Sequence, residues 1–322
     1  MRLAAITILR DECDVAEAFV RHHAALLDRL YLIDNRSSDG TAEILRRLAA
    51  EGLPIVLGRD AELRYYQGRM TTALIAAAQA DGPWDCLLPL DADEFLQLED
   101  RGALEAELAR LPPAAAGLLM SDQYAPAADD DAAEPDPVLR IRHRAAAVPA
   151  QPPHHGKIVV TGRLAALPEM TVGEGNHHLL LAGRRLPERR LAAARVAHFP
   201  VRSAEQLVAK VATARLAWLA RHDYRPALGA HVALLYERLK ENPVPGPADL
   251  QDAAFAYLDS YLGPDRRPYR RRLVRQPAMR RGGPLRHLDL ARPQALPRIL
   301  AVAEAMARQL SQAAPAPAAA AS

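Results

Sequence analysis

Cysteine and long apolar runs are both scarce in this chain. Cys13 and Cys86 are its two cysteines among 322 residues, one beside a predicted strand end and the other inside a predicted strand. That placement predicts two reduced, partly buried thiols rather than a disulfide, as expected in a cytoplasmic protein. No segment approaches the roughly 20 apolar residues that cross a bilayer, and the start of the chain lacks the apolar length and cleavage site of a signal peptide. The sequence therefore predicts a soluble, cytoplasmic chain.

The chain also lacks a strong net charge, with 41 Lys and Arg against 39 Asp and Glu. A near balance argues against nucleic acid as a partner, because nothing in the composition attracts a polyanion along the whole surface. Arginine is nonetheless concentrated between residues 266 and 286. This stretch reflects the Ala, Arg and Pro bias of the chain, or else a peripheral contact with an anionic membrane surface, which would lie at the inner face of the membrane.

Several nucleotide-binding motifs are missing. A dinucleotide-binding enzyme needs G-x-G-x-x-G after its first strand, where this chain has Ile8-Leu9-Arg10-Asp11-Glu12,. A P-loop is absent too. A dehalogenase-type phosphatase carries D-x-D after its first strand, whereas here the pair follows the fourth. These absences argue against a dehydrogenase, a P-loop enzyme and that phosphatase class.

The first ninety residues alternate strand and helix patterns. Strands are predicted at 3–9, 29–33, 54–57 and 84–90, and amphipathic helices at 16–27, 41–50 and 69–79,. This order predicts an α/β fold with right-handed crossovers and a mostly parallel sheet flanked by helices. Further strands are predicted at 117–121, 157–161 and 191–199, a mobile loop at 122–137, and helices at 103–110, 203–222 and 228–241.

Three carboxylates follow the apolar run that ends at Leu90: Asp91, Asp93 and Glu94. Open α/β sheets bind ligands at the carboxyl ends of their strands. Clustered acids there repel one another unless a cation compensates, and hard oxygen ligands suit Mg²⁺ or Mn²⁺. A solvated acidic turn is an equally good interpretation of this short motif taken alone.

A second polar segment, Asp34-Asn35-Arg36-Ser37-Ser38-Asp39-Gly40-Thr41, follows the second strand. By itself it is typical of a capped strand-to-helix turn. Together with the later D-x-D and the strand order, it resembles the family-2-like glycosyltransferases, which have a GT-A fold and use nucleotide sugars. The closest subgroup carries a K-N-E-like element, here Arg10-Asp11-Glu12, and D-A-D-E-F at 91–95. The resemblance continues through 173–178 and 198–203 to Gln206 and Lys210.

The resemblance implies roles for particular residues. Asp34 and Asp39 would contact the nucleoside, and Arg69 would lie near the nucleotide. Asp91 and Asp93 would bracket ribose and metal, with Asp93 the more direct ligand of Mn²⁺ or Mg²⁺.

Three histidines and two cations extend this set. We expect His198, or alternatively His177, to supply a third metal ligand, although a lone histidine is more often a structural hydrogen-bonding group. Arg202 and Lys210 fall at the start and on the second turn of a predicted helix. There they would neutralise a diphosphate leaving group, unless they belong to a solvated helical face.

The catalytic base is the least determined residue. An inverting transferase needs a base within hydrogen-bonding reach of the acceptor hydroxyl. Glu174 lies between two glycines beside the His177-His178 pair and is our first prediction, against an ordinary exposed loop acid. Glu94 and His178 are the competing bases.

These features predict a catalytic domain at residues 1–200, a helical extension at 201–312 and a disordered Ala/Pro tail at 313–322. The predicted activity is metal-dependent transfer from a nucleoside diphosphate sugar, with a UDP-sugar as the expected donor, to a saccharide or lipid-linked acceptor, with inversion. The alternative is a catalytically silent nucleotide-binding module that holds an anionic polymer or membrane through its Arg-rich segment.

Overall fold

A computed structural model describes residues 1–146, 156–226, 229–262, 271–277, 279 and 282–313. Outside these residues lie five arginines of the Arg-rich stretch (Arg266, Arg267, Arg270, Arg280 and Arg281) and residues 314–322 of the predicted disordered tail, so those two predictions are untested.

The first four strands form the parallel centre of the sheet. Their order is β3-β2-β1-β4, and every neighbouring pair is parallel. β1 and β4 are almost wholly buried, which explains their unbroken apolar sequences,. The elements are β1 (Leu3–Leu9), α1 (Ala16–Ala24), β2 (Arg29–Asn35), α2 (Thr41–Ala50), β3 (Ile55–Asp60), α3 (Gln67–Asp81) and β4 (Cys86–Pro89). The predicted strand and helix alternation is confirmed.

Beyond β4 the sheet becomes mixed. β8 lies antiparallel to β4, β6 follows antiparallel to β8, and β12 runs parallel to β6 with β5 on its other edge. The elements are β5 (Glu94–Leu98), α4 (Arg101–Leu108), β6 (Ala116–Ala125), α5 (Pro137–Arg140), β7 (His143–Ala145), β8 (Gly156–Thr161), α6 (Gly162–Ala165) and β12 (Glu188–His198). Two details differ from prediction: β6 continues through the first residues expected to be loop, and Glu94 begins a strand instead of ending a turn.

A small three-stranded sheet is separate from the main one. It contains β9 (Met170–Val172), β10 (Leu179–Leu181) and β11 (Arg184–Arg185), with a 3-10 turn at Glu174–Asn176 between the first two. Gly175 in this turn has a φ of 77°, a left-handed conformation that glycine adopts without strain,. The turn lies against α3, which carries it towards the carboxyl edge of the parallel strands.

The last third of the chain is mainly helical. It contains α7 (Ala204–Leu219), α8 (Ala230–Glu241), α9 (Pro247–Leu262), β13 (Leu273–Arg275) and α10 (Ala295–Ala313). Ser203 caps α7 by accepting the Gln206 N–H at 3.2 Å,. One core cluster is shared by α7, α8 and α9, while two others cover the two faces of the parallel strands. Among the described helices, none is long and apolar enough to cross a membrane.

Candidate active site

The ends of β1 and β2 are tied together by polar side chains. Asp11 and Arg36 follow these strands with φ values of 54° and 57°, a left-handed conformation that non-glycine residues rarely adopt,. The Asp11 carboxylate accepts the Ser38 N–H at 2.7 Å. Burial raises the pKa of Asp11, helped by the charge of Asp39. This carboxyl edge is therefore held in one conformation.

A cavity of about 340 Å³ opens at the carboxyl ends of β1 and β4. One wall comes from the sheet and its connections, and the other comes from α7, α8 and α9. The residues that line it include Glu12, Tyr65, Gln67, Asp91, Asp93, Lys157, Glu174, Gly175, His177, His198, Lys210, Trp218, His231 and Tyr257. The cavity thus gathers Asp91, Asp93, His177, His198, Glu174 and Lys210 from the predicted site.

Asp93 is the centre of one charged group, called here the Asp93 cluster: Asp93, Glu12, Asp14, His198, Arg202 and Lys210. The Asp93 carboxylate makes a short contact with the Lys210 ammonium group, and it lies 3.7 Å from Arg202 Nη1. Burial favours the protonated acid, but the charges of Lys210 and His198 outweigh burial and hold the pKa of Asp93 well below its usual range,. Asp93 is therefore an anion.

Arg202 supports this cluster from behind. Its side chain is fully buried and does not line the cavity. It donates to Asp14 at 2.7 Å and 2.9 Å and makes a short contact with Glu12. The structure thus places Arg202 under the site as a partner of Glu12 and Asp14, while Lys210 lines the cavity. Their roles at a diphosphate stay predictions.

The second group, called here the Glu94 cluster, contains Asp91, Glu94 and Lys157. The Lys157 ammonium group lies 2.6 Å from Asp91 Oδ2 and 3.2 Å from Glu94 Oε1. It also donates to the Gly175 carbonyl at 2.7 Å. Burial raises the pKa of Glu94 to about 7, because the opposing charge of Lys157 is shared with Asp91. Glu94 is buried behind the cavity wall, so it does not face an acceptor directly.

Asp93 and His198 offer two ligands for a divalent cation. His198 Nε2 and Asp93 Oδ1 are 3.6 Å apart, close enough to bind one ion at about 2.1 Å each. His198 Nδ1 is fixed by Gln123 Oε1 at 3.0 Å, a support that metal-binding histidines require. The Asp91 oxygens contact Lys157, Gln67 and Asn176, so the predicted role of Asp91 as a metal ligand stays a prediction. The donor set fits Mn²⁺ or Mg²⁺ through Asp93 and His198, with water completing the coordination.

Glu174 lines the cavity beside the Glu94 cluster. Glu174 Oε1 accepts the Arg221 guanidinium at 2.8 Å, while Oε2 is buried and has no hydrogen-bond partner among the described residues. His177 also lines the cavity and contacts the Gly156 carbonyl through Nδ1 at 2.9 Å. His178 lies against Gly173, outside the cavity lining. Of the three predicted bases, Glu174 is the one on the cavity wall.

The predicted nucleoside contacts lie farther along the sheet edge. Asp34 is buried and Asp39 is half-buried, and both lie outside the cavity lining. Asp39 pairs with Arg298 of α10. Arg69 is 69% exposed and stacks on Tyr66 instead of pointing inwards. A second cavity of about 460 Å³ lies beyond Arg10, between the ends of β2 and β3 and α10. The roles of Asp34, Asp39 and Arg69 stay predictions.

Sequence reasoning missed several cavity residues. Lys157 is a buried lysine inside the apolar strand β8, and a lone charge in such a strand was the available signal. Burial lowers the pKa of His231 to about 4, so this histidine is neutral at pH 7. Trp218 and Tyr257 line the cavity and Arg221 contacts Glu174. All three come from the helical region, where nothing in the sequence pattern distinguishes them from packing residues.

No protein-family model and no curated protein matches the chain. Solved structures resemble it at low identity. TarS 1-349 from S. aureus in complex with UDP is 10% identical, with 74% of this chain and 72% of that chain covered and a TM-score of 0.35. The mannosyltransferase PcManGT from Pyrobaculum calidifontis, in complex with GDP-Man and Mn²⁺, is 17% identical, with 82% of this chain and 88% of that chain covered and a TM-score of 0.38. Glucosyl-3-phosphoglycerate synthase from Mycobacterium tuberculosis, in complex with Mn²⁺, UDP and glucosyl-3-phosphoglycerate, is 14% identical, with 76% of this chain and 81% of that chain covered and a TM-score of 0.36. At these TM-scores, assignment of function depends on the site itself.

Proposed function

We propose that the chain is a glycosyltransferase that moves a sugar from a nucleoside diphosphate sugar to an acceptor hydroxyl, with Mn²⁺ or Mg²⁺ and with inversion. One observation carries this proposal. Asp93, His198 and Lys210 converge at the carboxyl edge of a parallel sheet, on the same cavity that Glu174 lines. Open α/β sheets bind their ligands at that edge.

A diphosphate would suit the mixed charges of Asp93, His198 and Lys210, which all line the cavity. Asp93 and His198 would hold a divalent cation, which supplies Lewis-acid stabilisation of the departing diphosphate. Lys210 lies in short contact with Asp93 and 3.4 Å from Glu12, so its ammonium group is positioned to bind a phosphate oxygen next to the metal ligands. The cavity wall thereby combines a cation site with a fixed positive charge, as a diphosphate leaving group requires.

Glu174 is the proposed base. Its Oε1 is fixed by Arg221, and its Oε2 is buried without a hydrogen-bond partner among the described residues. This oxygen would accept the proton of the acceptor hydroxyl once the bound acceptor reaches it. As that proton leaves, the acceptor oxygen forms a bond to the anomeric carbon and the bond to the diphosphate breaks, with the electron pair departing on the diphosphate. Attack on the face opposite the leaving group inverts the anomeric centre.

The helical wall is the proposed acceptor side. Trp218 and Tyr257 line the cavity there, and Tyr65 meets the Trp218 ring edge-on at 6.5 Å between centroids. Aromatic surfaces with a few polar groups suit a saccharide ring or a lipid-linked sugar. A saccharide or lipid-linked acceptor is therefore proposed.

Calorimetry with UDP and other nucleoside diphosphates, with and without Mn²⁺, tests donor binding. We expect binding that tightens when Mn²⁺ is present. A panel of nucleotide sugars, assayed for metal-dependent release of nucleoside diphosphate, then identifies the donor. The proposal fails if no nucleoside diphosphate binds under either condition, and binding without sugar transfer or hydrolysis would leave only a nucleotide-binding module.

A further inference from the structure

A second group of metal-type ligands lies away from the cavity, where the chain leaves β6 and returns in β7. Asp129 and Asp130 belong to the connecting loop, and His143 is the first residue of β7. Ala125, the last residue of β6, pairs with His143 across the two strands. The loop therefore closes on its own base and brings the two aspartates against the histidine. Among the residues described, this is the one group of three His, Cys, Asp or Glu whose ligand atoms lie within 4.8 Å of one another.

Each aspartate uses one oxygen within the protein and directs the other towards His143. Asp130 Oδ2 accepts the Ala127 N–H at 2.9 Å, while its Oδ1 lies 3.5 Å from His143 Nδ1. Asp129 Oδ2 lies 4.0 Å from Arg275, while its Oδ1 lies 3.5 Å from His143 Nε2. At 3.5 Å these contacts are too long for good hydrogen bonds.

Burial makes the long contacts meaningful. The Asp130 side chain is 9% exposed, and both Asp130 Oδ1 and His143 Nδ1 are buried without a hydrogen-bond partner in the described structure. An unpaired buried carboxylate oxygen costs free energy. Two such atoms facing each other leave a gap that one small cation fills.

We propose that Asp129, Asp130 and His143 bind a divalent cation of the Zn²⁺ or Mn²⁺ class. One imidazole nitrogen and two carboxylate oxygens are the ligand types these ions accept, whereas Ca²⁺ and Mg²⁺ prefer oxygen alone. The adjoining cavity of about 240 Å³ leaves room for water to complete the coordination. This site is separate from the one proposed at Asp93 and His198.

The ion would fix the acidic loop to the sheet edge, with a consequence for the cavity. The loop leads into α5, where Arg140 donates to the Glu134 carbonyl at 3.1 Å and to the Arg202 carbonyl at 2.9 Å. Arg202 in turn holds Glu12 and Asp14 of the Asp93 cluster. The proposed cation thus stabilises, through α5, the segment that supports the main site.

The test is titration of the whole chain with ZnCl₂ and with MnCl₂, without nucleotide, by calorimetry and thermal unfolding. His143→Ala and Asp130→Asn should each bind one equivalent of metal less than the parent. Each should also lose at least half of the metal-induced rise in Tm, because an ion stabilises only the state that binds it. His222→Ala and Asp289→Asn change exposed residues of the same types and should behave like the parent.

Two variants keep the test decisive if one does not fold. The proposal is overturned if either folded variant binds as many equivalents as the parent. It is equally overturned if the parent binds neither metal, or if His143→Ala lowers Tm by the same amount in chelator and in metal, which would make the group an ordinary His–Asp ion pair.

Discussion

Asp93 and Glu94, the acids that give the two clusters their names, are neighbours in the sequence, but their clusters differ in the balance of positive and negative charges. In the Asp93 cluster, Lys210 and Arg202 both lie within 4.0 Å of the central carboxylate. In the Glu94 cluster one ammonium group serves two carboxylates, and it lies closer to Asp91 than to Glu94. The pKa of Asp93 is consequently lowered, and that of Glu94 is raised to about 7. Burial is common to both acids, so the number of nearby cations decides the direction.

The largest expected effect is that of Asp93→Asn. We expect turnover to fall by about 10³-fold, because several kcal/mol of Lewis-acid stabilisation depend on this residue. Stability should fall as well, by about 1–3 kcal/mol, since Lys210 and Arg202 lose a buried partner. Steady-state kinetics at several Mn²⁺ concentrations and urea unfolding measure the two effects.

A double variant separates the effect on turnover from the effect on stability. Asp93→Asn with Lys210→Met removes the unpaired cation as well, so it should recover stability relative to the single variant while turnover stays low. Unchanged turnover and Mn²⁺ dependence in Asp93→Asn would refute the role of Asp93.

Glu174→Gln is next. It should lower kcat by about 10²-fold or more, with donor affinity nearly unchanged, because a base acts on the transition state. Asp223→Asn is the matched control: Asp223 also pairs with Arg221 but does not line the cavity, and this variant should keep most of the activity. If Glu174→Gln turns over normally at saturating donor and acceptor, Glu174 is not the base.

The raised pKa of Glu94 predicts an unusual dependence of stability on pH. The folded chain keeps this proton up to pH 7, whereas the unfolded chain releases it near 4.5. Stability should therefore decrease between pH 4.5 and 7, by on the order of 3 kcal/mol from this group. Glu94→Gln should remove the decrease, as measured by urea unfolding at pH 5 and pH 8.

Asp93 changes the pH dependence of stability in the opposite direction and in a lower pH range. Its lowered pKa adds stability that is present above its ordinary pKa of 3.8 and is lost as the pH falls below that value,. The two contributions are thus separable. An identical pH slope in the parent and in Glu94→Gln would contradict the assignment to Glu94.

Asp91→Asn should have the smallest effect. Without the Asp91 charge, Lys157 serves Glu94 alone, so the pKa of Glu94 should fall towards 4.5. The pH-dependent loss of stability should then end at lower pH and be smaller than in the parent. Activity should decrease by about 10-fold, the scale typical of groups that orient a site without forming its central contacts. A loss as large as that of Asp93→Asn would mean that the two carboxylates act as equals.

Much of the fold could be predicted because its signals are local. The apolar run ending at Leu90 and the alternation before it follow from residue periodicity alone, and they placed Asp91 and Asp93 at the right edge of the sheet. No strand was predicted at β5, because Glu94 was considered as one of three clustered acids. The helical extension predicted at 201–312 gave no bounds for α9 and α10.

The partners of the site residues could not be predicted in the same way. Lys157 is 66 residues from Asp91, and Arg221 is 47 residues from Glu174. Such pairs depend on how β8, the 3-10 turn and α7 pack, which no local pattern records. Arg202 is another example: its position at the start of a predicted helix suggested a diphosphate contact or a solvated face, and no local pattern indicated its partners Glu12 and Asp14, 190 and 188 residues away.

The separation of Asp93 and Lys210 by 117 residues also has a consequence during synthesis. At about 5–20 residues per second, a ribosome needs roughly 6 to 23 s to reach the lysine after making the aspartate. Throughout that interval the nascent sheet carries an acid whose partner does not yet exist. Burying an unpaired carboxylate is costly, so this edge of the sheet must stay hydrated until α7 emerges. Completion of the carboxyl edge therefore waits for the synthesis of α7.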